Sequence, residues 1–78
     1  MTIKILGVGC PKCKTLEARV KNVALQHEIS CEIQKVTDLS QIMGYGVMMT
    51  PGLVINEQLK STGAIPGDAQ ILQWLREV

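Results

Sequence analysis

The feature that most constrains this chain is a pair of cysteines separated by two residues, in the segment Gly9-Cys10-Pro11-Lys12-Cys13. The pair follows an apolar run and opens a segment with helical periodicity, which places Cys10 at or just before a helix N-terminus. Free backbone N–H groups and the positive end of the helix dipole favour a thiolate at that position. Two such thiols suit thiol–disulfide exchange, and they also suit binding of a soft metal ion.

The composition indicates one small globular domain spanning residues 1–78 and excludes two classes of partner. The chain is 46% hydrophobic and 19% charged, with a formal net charge of +1. Because no basic excess is available to neutralise phosphates, we expect no nucleic-acid binding. No apolar run approaches the roughly 20 residues of a membrane-spanning helix, so we expect no membrane insertion.

The cysteine count bears on the compartment. Three cysteines, Cys10, Cys13 and Cys31, are an odd number, which does not suit a secreted disulfide framework. One close pair and one leftover thiol fit a reducing compartment better. We therefore expect a cytoplasmic protein.

Hydrophobic periodicity predicts seven elements in the order β-α-β-α-β-β-α. Short connections between the first four elements imply a parallel strand pair joined by a helix. Asp38 and Gln41 resemble a capping pair at the start of the second helix, and Asn56-Glu57 is a weak hairpin turn. The predicted strands are 2–8, 29–36, 53–55 and 58–62, and the predicted helices are 12–27, 39–43 and 68–78.

These landmarks together resemble a known fold. A strand that ends in Cys-x-x-Cys at a helix start, then a strand and a helix, then Thr50-Pro51, a hairpin and a last helix resemble the thioredoxin fold in its short, glutaredoxin-sized form. More narrowly, the segments 9–14, 46–48 and 50–51 resemble the small thioredoxin-like redox-active disulfide proteins of archaea and bacteria. The resemblance implies an α/β protein with a four-stranded mixed sheet flanked by three helices.

The resemblance also implies roles for particular residues. In that family Cys10 would be the attacking nucleophile and Cys13 the resolving thiol of a thiol–disulfide oxidoreductase acting on protein disulfides. Pro51 would be a cis-proline beside them, and the Thr50 backbone would bind an extended substrate segment. The residues assigned to substrate binding are Thr50, Pro51, Pro11 and Lys12.

The same resemblance predicts the partners and one departure from thioredoxin. We expect client proteins with disulfides and a reductase such as thioredoxin reductase to be the partners of a monomer that needs no cofactor or metal. Lys4 falls near the position of the buried aspartate that accepts a proton in thioredoxin.

Some alternatives stay open at this stage. The cysteine pair also suits a Cu(I)- or Zn(II)-binding carrier domain, although such domains have the order β-α-β-β-α-β. Cys31, predicted within the second strand, is interpreted as a small buried hydrophobe. Tyr45, Met48 and Met49 flank Thr50-Pro51 and either form an apolar rim for partners or pack in the core.

Overall fold

The computed structural model describes residues 1–77, and its helices and strands follow the predicted order. Their bounds are β1 (Thr2–Leu6), α1 (Pro11–Gln26), β2 (Glu32–Val36), α2 (Leu39–Gly44), β3 (Gly52–Ile55), β4 (Gln58–Thr62) and α3 (Asp68–Arg76).

One mixed sheet holds the four strands of the described chain in the order β2-β1-β3-β4. β1 pairs in parallel with β2 and antiparallel with β3, and β3 pairs antiparallel with β4. The prediction of a four-stranded mixed sheet with three helices is confirmed. Along the chain the elements follow the order β-α-β-α-β-β-α, which differs from the order β-α-β-β-α-β of the metal-carrier domains.

The sheet buries both of its faces, and alternation along β1 divides its side chains between them. Ile3 and Ile5 point towards α1 and α3, whereas Leu6 points towards α2. The first face forms the larger core, with Ile3, Ile5, Leu16, Val20, Val23, Ala24, Leu53, Ile55, Ile71 and Leu75. The smaller core contains Leu6, Val36, Ile42, Val47 and Val54.

Two predicted strands are shorter than the sequence pattern indicates. β1 ends at Leu6, because Gly9 has a φ of 88° and turns the chain towards α1. β2 begins at Glu32 rather than at residue 29, because Ile29 donates its N–H to the Ala24 carbonyl and closes the end of α1. The prediction that Cys31 lies within the strand is therefore wrong.

The remaining boundaries agree with the predictions apart from end effects. Asn56 and Glu57 both have positive φ and form the predicted tight turn between β3 and β4. Asp38 caps α2 by accepting a hydrogen bond from the Ser40 N–H, but no reciprocal bond from Gln41 occurs within residues 1–77. The last residue of the predicted closing helix, position 78, lies outside the described residues.

None of the helices in the described residues is long and apolar enough to span a membrane.

Candidate functional site

The two cysteines of the motif form a disulfide at the point where β1 gives way to α1. Cys10 is the N-cap residue of α1 and Pro11 is the first helical residue, where its missing N–H leaves no hydrogen bond unmade. Cys10 and Cys13 lie 5.1 Å apart between Cα atoms, within the range that a disulfide spans. The Cys13 backbone N–H donates to the Cys10 sulfur at 3.2 Å. The helix end therefore directs a polar N–H group at the first sulfur.

The two sulfur-bearing residues differ in exposure. Cys10 is partly exposed, whereas Cys13 is 5% exposed and packs on the inner side of the helix start. This difference follows from helix geometry, because Cys13 lies on the same side of α1 as Leu16 and Val20, which face the core. A partner molecule can therefore approach Cys10 more readily than Cys13.

Gly7, between β1 and the motif, makes room for the inner cysteine and was not singled out from the sequence. A side-chain carbon added at Gly7 would collide with the Cys13 Sγ and would lie 3.2 Å from the Cys13 Cβ. Gly7 also donates its N–H to the Val36 carbonyl, so its backbone is held in the sheet. The glycine itself was visible in the sequence between the strand and the cysteine motif. The sequence does not show that Cys13 occupies the place of a Gly7 side chain, because this contact depends on tertiary packing.

Thr50 and Pro51 lie at the same end of the sheet, just before β3. Their peptide bond is cis, as the resemblance implies. The Thr50 Cβ would be 3.8 Å from a carbon added at Gly7, which places it beside Cys13. Pro51 is buried, and its carbonyl accepts from the Gly63 N–H at 2.8 Å. The backbone groups of Thr50 make no hydrogen bond within the described chain, so they are free to pair with another segment.

The other predicted binding residues lie on the exposed start of α1. Pro11 and Lys12 are both exposed beside Cys10. Met48 and Met49 are also exposed, which favours the rim interpretation over core packing for both. Tyr45 is instead partly buried and packs against the smaller core, on the α2 side of the sheet.

A small cavity of about 60 Å³ adjoins the inner cysteine between α1 and the β1–β2 edge. Its walls include Cys13 and the charged side chains Glu17 and Lys35. The Glu17 carboxylate pairs with Lys21 at 3.0 Å and with Lys35 at 3.2 Å. The hydrogen bond from Lys21 lowers the pKa of Glu17; partial burial opposes this effect and the bond from Lys35 adds to it. Glu17 is therefore a charged carboxylate at neutral pH.

Lys4 in β1 points away from the cysteines. Its Nζ lies 2.7 Å from the Tyr45 hydroxyl and 2.6 Å from Glu57 Oε1, in the turn at the opposite end of the sheet. The hydrogen bond to Glu57 raises the pKa of Lys4, and the same bond lowers the pKa of Glu57. The sequence of β1 contains no Asp or Glu, so this strand places no carboxylate next to Cys13.

Cys31 lies far from the motif along the sheet. It precedes β2, whose first residue, Glu32, donates its N–H to the Met1 carbonyl. Because β2 runs parallel to β1, this position is at the opposite end from Cys10. Cys31 is a free cysteine that packs partly buried against the larger core. Cys10 and Cys13 are the thiols that a metal could use, and no group of three or more His, Cys, Asp or Glu side chains gathers within residues 1–77.

Comparisons with known proteins agree with this arrangement. Residues 1–76 match a protein family described as a thioredoxin domain. A thioredoxin of Methanocaldococcus jannaschii is 36% identical over 76 residues, which are 97% of this chain and 87% of that protein. A thioredoxin of Methanothermobacter thermautotrophicus is 31% identical over 75 residues, which are 96% of this chain and 97% of that protein.

Proposed function

The chain belongs to the thioredoxin family and is a thioredoxin-like disulfide oxidoreductase, and from that premise we propose that Cys10 attacks disulfides of client proteins while Cys13 resolves the intermediate. The observation that carries this assignment is the unequal exposure of the two residues, with Cys10 reachable and Cys13 only 5% exposed. The N–H of Cys13, directed at the Cys10 sulfur, supports the same order because it stabilises negative charge on that sulfur.

The reaction has two exchange steps. The Cys10 thiolate attacks one sulfur of the client disulfide, forms a mixed disulfide and releases the other client sulfur as a thiolate. The Cys13 thiol then loses its proton and attacks the Cys10 sulfur, which closes the Cys10–Cys13 disulfide and releases the second client thiolate. The client gains two electrons and the protein loses two. The released client thiolates take up protons from solvent.

Substrate positioning falls to the residues around the pair. We assign the unpaired backbone groups of Thr50 to hydrogen bonds with an extended client segment, as in strand addition to a sheet edge. Pro51 forms the buried base of this segment of the site, and the exposed Pro11 and Lys12 contact the client from the helix side.

The working cycle needs a reductase, such as thioredoxin reductase, to return the disulfide to the dithiol. We place this cycle in the cytoplasm and assign it to a monomer. The unpaired third cysteine, Cys31, supports a reducing compartment, because an exposed or half-buried free thiol is rare where disulfides form readily.

The test is to trap the intermediate. The variant Cys13→Ser keeps the attacking thiol and lacks the resolving one, so incubation with a disulfide-containing client should accumulate a covalent adduct on non-reducing gels. The adduct should disappear on addition of dithiothreitol. Cys10→Ser is the matched control, and it should form no adduct under the same conditions.

Two results would contradict the proposal. If Cys10→Ser traps clients and Cys13→Ser does not, the roles of the two cysteines are reversed. If neither variant forms adducts and the wild-type protein instead binds Cu(I) stoichiometrically with no disulfide reduction, the cysteine pair is a metal-carrier site.

A further inference from the structure

One carboxylate lies close to the buried cysteine, and the two exchange steps do not use it. Glu17 is one helical turn after Cys13 on α1, and residues four apart on a helix have Cβ atoms about 5–6 Å from each other. Both side chains line the cavity of about 60 Å³ between α1 and the β1–β2 edge. The Glu17 side chain is 13% exposed, so water screens its charge poorly. The inner sulfur therefore faces a fixed negative charge.

Two lysines bind this carboxylate and keep it ionised. Lys21, one turn further along α1, binds Oε1 at 3.0 Å, and Lys35 of β2 binds Oε2 at 3.2 Å. The hydrogen bond from Lys21 is the main cause that lowers the pKa of Glu17, so this side chain stays charged over the pH range in which thiols ionise. The lysine side chains are 58% and 66% exposed, so water screens their charges more strongly. Each lysine therefore offsets the carboxylate only in part.

The other surroundings of Cys13 add little charge. Lys14 also lines the cavity, but it is exposed at the start of α1. β1 contributes the apolar Ile5, and Thr50 lies beside Cys13 from the segment before β3. Within the described residues, Glu17 is the acidic side chain that lines this cavity.

The two thiols of the reduced protein compete for one proton, because each is close enough to feel the charge of the other. Cys10 is at the N-cap of α1, where the Cys13 N–H and the helix dipole stabilise negative charge on its sulfur. Cys13 has the Glu17 carboxylate as its neighbour, which disfavours negative charge on the inner sulfur. Both effects leave the proton on Cys13 and the negative charge on Cys10.

We propose that Glu17 is a positioning residue for this proton: its carboxylate, anchored by Lys35, keeps Cys13 protonated until Cys10 has reacted. When Cys10 enters the mixed disulfide its sulfur becomes neutral, so Cys13 faces one repelling charge instead of two and releases its proton to solvent. The Cys13 thiolate then attacks the Cys10 sulfur, and Glu17 exchanges neither a proton nor an electron. This inference rests on the proposed function, because it requires Cys10 to attack first.

A titration of Cys13 as the sole thiol measures the effect. The double variant Cys10→Ser, Cys31→Ser retains only this cysteine, and the ultraviolet absorbance of its thiolate reports ionisation without a reagent that must reach a buried sulfur. The same protein with Cys13→Ser added gives the baseline for Tyr45. In the double variant, Glu17→Gln should lower the pH midpoint of Cys13 ionisation by about one unit, the scale of one poorly screened charge at this separation.

A second substitution separates charge from structure through the sign of the shift. Lys35→Gln should raise the same midpoint by about half a unit, because the carboxylate loses part of its compensation. Both substitutions break the same ion pair, so a purely structural role would move the midpoint in the same direction in each. Glu32→Gln is the matched control: it makes the same charge change at the opposite end of the sheet and should shift the midpoint by no more than about 0.2 unit. Either variant tests its own sign if the other fails to fold.

Alkylation of the full dithiol protein with limiting reagent shows where the negative charge lies. Trypsin cleaves after Lys12 and so separates Cys10 from Cys13, which lets mass spectrometry count the label on each. In wild-type protein the label should be mostly on Cys10. Glu17→Gln should raise the share on Cys13 about threefold or more.

The outcomes separate this proposal from the proposed function. A midpoint that does not move in Glu17→Gln, or that moves in the same direction in Glu17→Gln and Lys35→Gln, would overturn the inference. The trapping of clients by Cys13→Ser would still support the proposed function in that case. If Cys13→Ser traps no client, the proposed function fails and the inference fails with it, even with both midpoints shifted as expected.

Discussion

The two ends of the sheet are built on different physical principles. At the end opposite the disulfide, polar side chains join residues far apart in the sequence. Asn56 accepts a hydrogen bond from the Thr2 N–H, and Lys4 binds both Tyr45 and Glu57. These contacts fix the hairpin turn against the start of β1.

At the disulfide itself and at the start of α2 the polar contacts are shorter in range, although Glu17 also pairs with Lys35 beside the cavity next to Cys13. Cys10 accepts from the N–H of Cys13, three residues on, and Asp38 accepts from that of Ser40, two residues on. The shape of this end depends instead on residues with special backbones or no side chain, such as Gly7, Gly9 and Pro51. The comparison teaches that side-chain bonds secure the hairpin turn at one end, whereas backbone conformation shapes the surroundings of the disulfide at the other and leaves backbone groups and apolar surface available for partners.

The sharpest way to test this division is to remove one thiol from each end. Cys10→Ser should lower the rate of disulfide reduction at least about a thousandfold, because the attacking thiolate is lost. Cys31→Ser should change the rate by about twofold at most, since Cys31 lies at the other end of the sheet. Both rates are measured with a soluble protein disulfide and excess reductant. A large loss in Cys31→Ser with unchanged folding would show that the ends are functionally coupled.

A second test uses two glycines with different surroundings. Gly7→Ala places a carbon against the Cys13 sulfur, whereas an alanine carbon at Gly44 would meet no atom within 4 Å. We expect Gly7→Ala to lower the free energy of unfolding by about 1–3 kcal/mol, as overpacking of a filled site does. Gly44→Ala should raise it by about 0.4–1 kcal/mol, because the helical backbone of α2 accepts alanine. Urea denaturation of both variants measures the difference.

Gly7→Ala also tests whether its effect on stability acts through the Cys10–Cys13 disulfide. The Cys13 side chain can rotate away from the added carbon in the dithiol but is tethered in the disulfide, so Gly7→Ala should destabilise the oxidised form more. Its redox potential should then become less negative, by about 30 mV for each 1.4 kcal/mol of difference between the two forms. Equal destabilisation of both forms, measured by urea unfolding with and without reductant, would mean that Gly7 serves packing alone.

The element order and the position of the cysteine pair could be predicted because they depend on local patterns. Leu16 and Val20 repeat with the helical period, and Pro11 follows Cys10 where a helix can begin. The start of β2 was predicted wrongly, because the N–H of Ile29 closes α1 and alternation alone does not reveal that hydrogen bond.

The parts of the site that escaped prediction depend on register and packing. Lys4 meets Glu57 only because β1 and β3 pair with Ile3 opposite Ile55, which no local pattern specifies. The sequence also left open whether Met48 faces the core or the solvent, because the loop before β3 has no hydrophobic periodicity that would indicate a buried side.

The smallest effect is expected from the Lys4–Glu57 pair at the end opposite the disulfide, and it concerns how the stability of the fold depends on pH. The pKa of Glu57 is lowered by its hydrogen bond to Lys4, so the bond stabilises the fold above the unfolded pKa of this carboxyl and is lost as pH falls through the folded value. The pKa of Lys4 is raised, so its contribution is lost only as pH rises above the ordinary lysine value. Glu57→Gln should therefore lower stability slightly near pH 7 and flatten both the acid and the alkaline ends of the stability profile.

Thermal unfolding across the pH range measures this, with Glu32→Gln on the exposed edge strand as control. Because both partners are reachable by water, added salt should shrink the difference. The rate of disulfide reduction should not change, and a change in it would show that charge at this end is transmitted to Cys10.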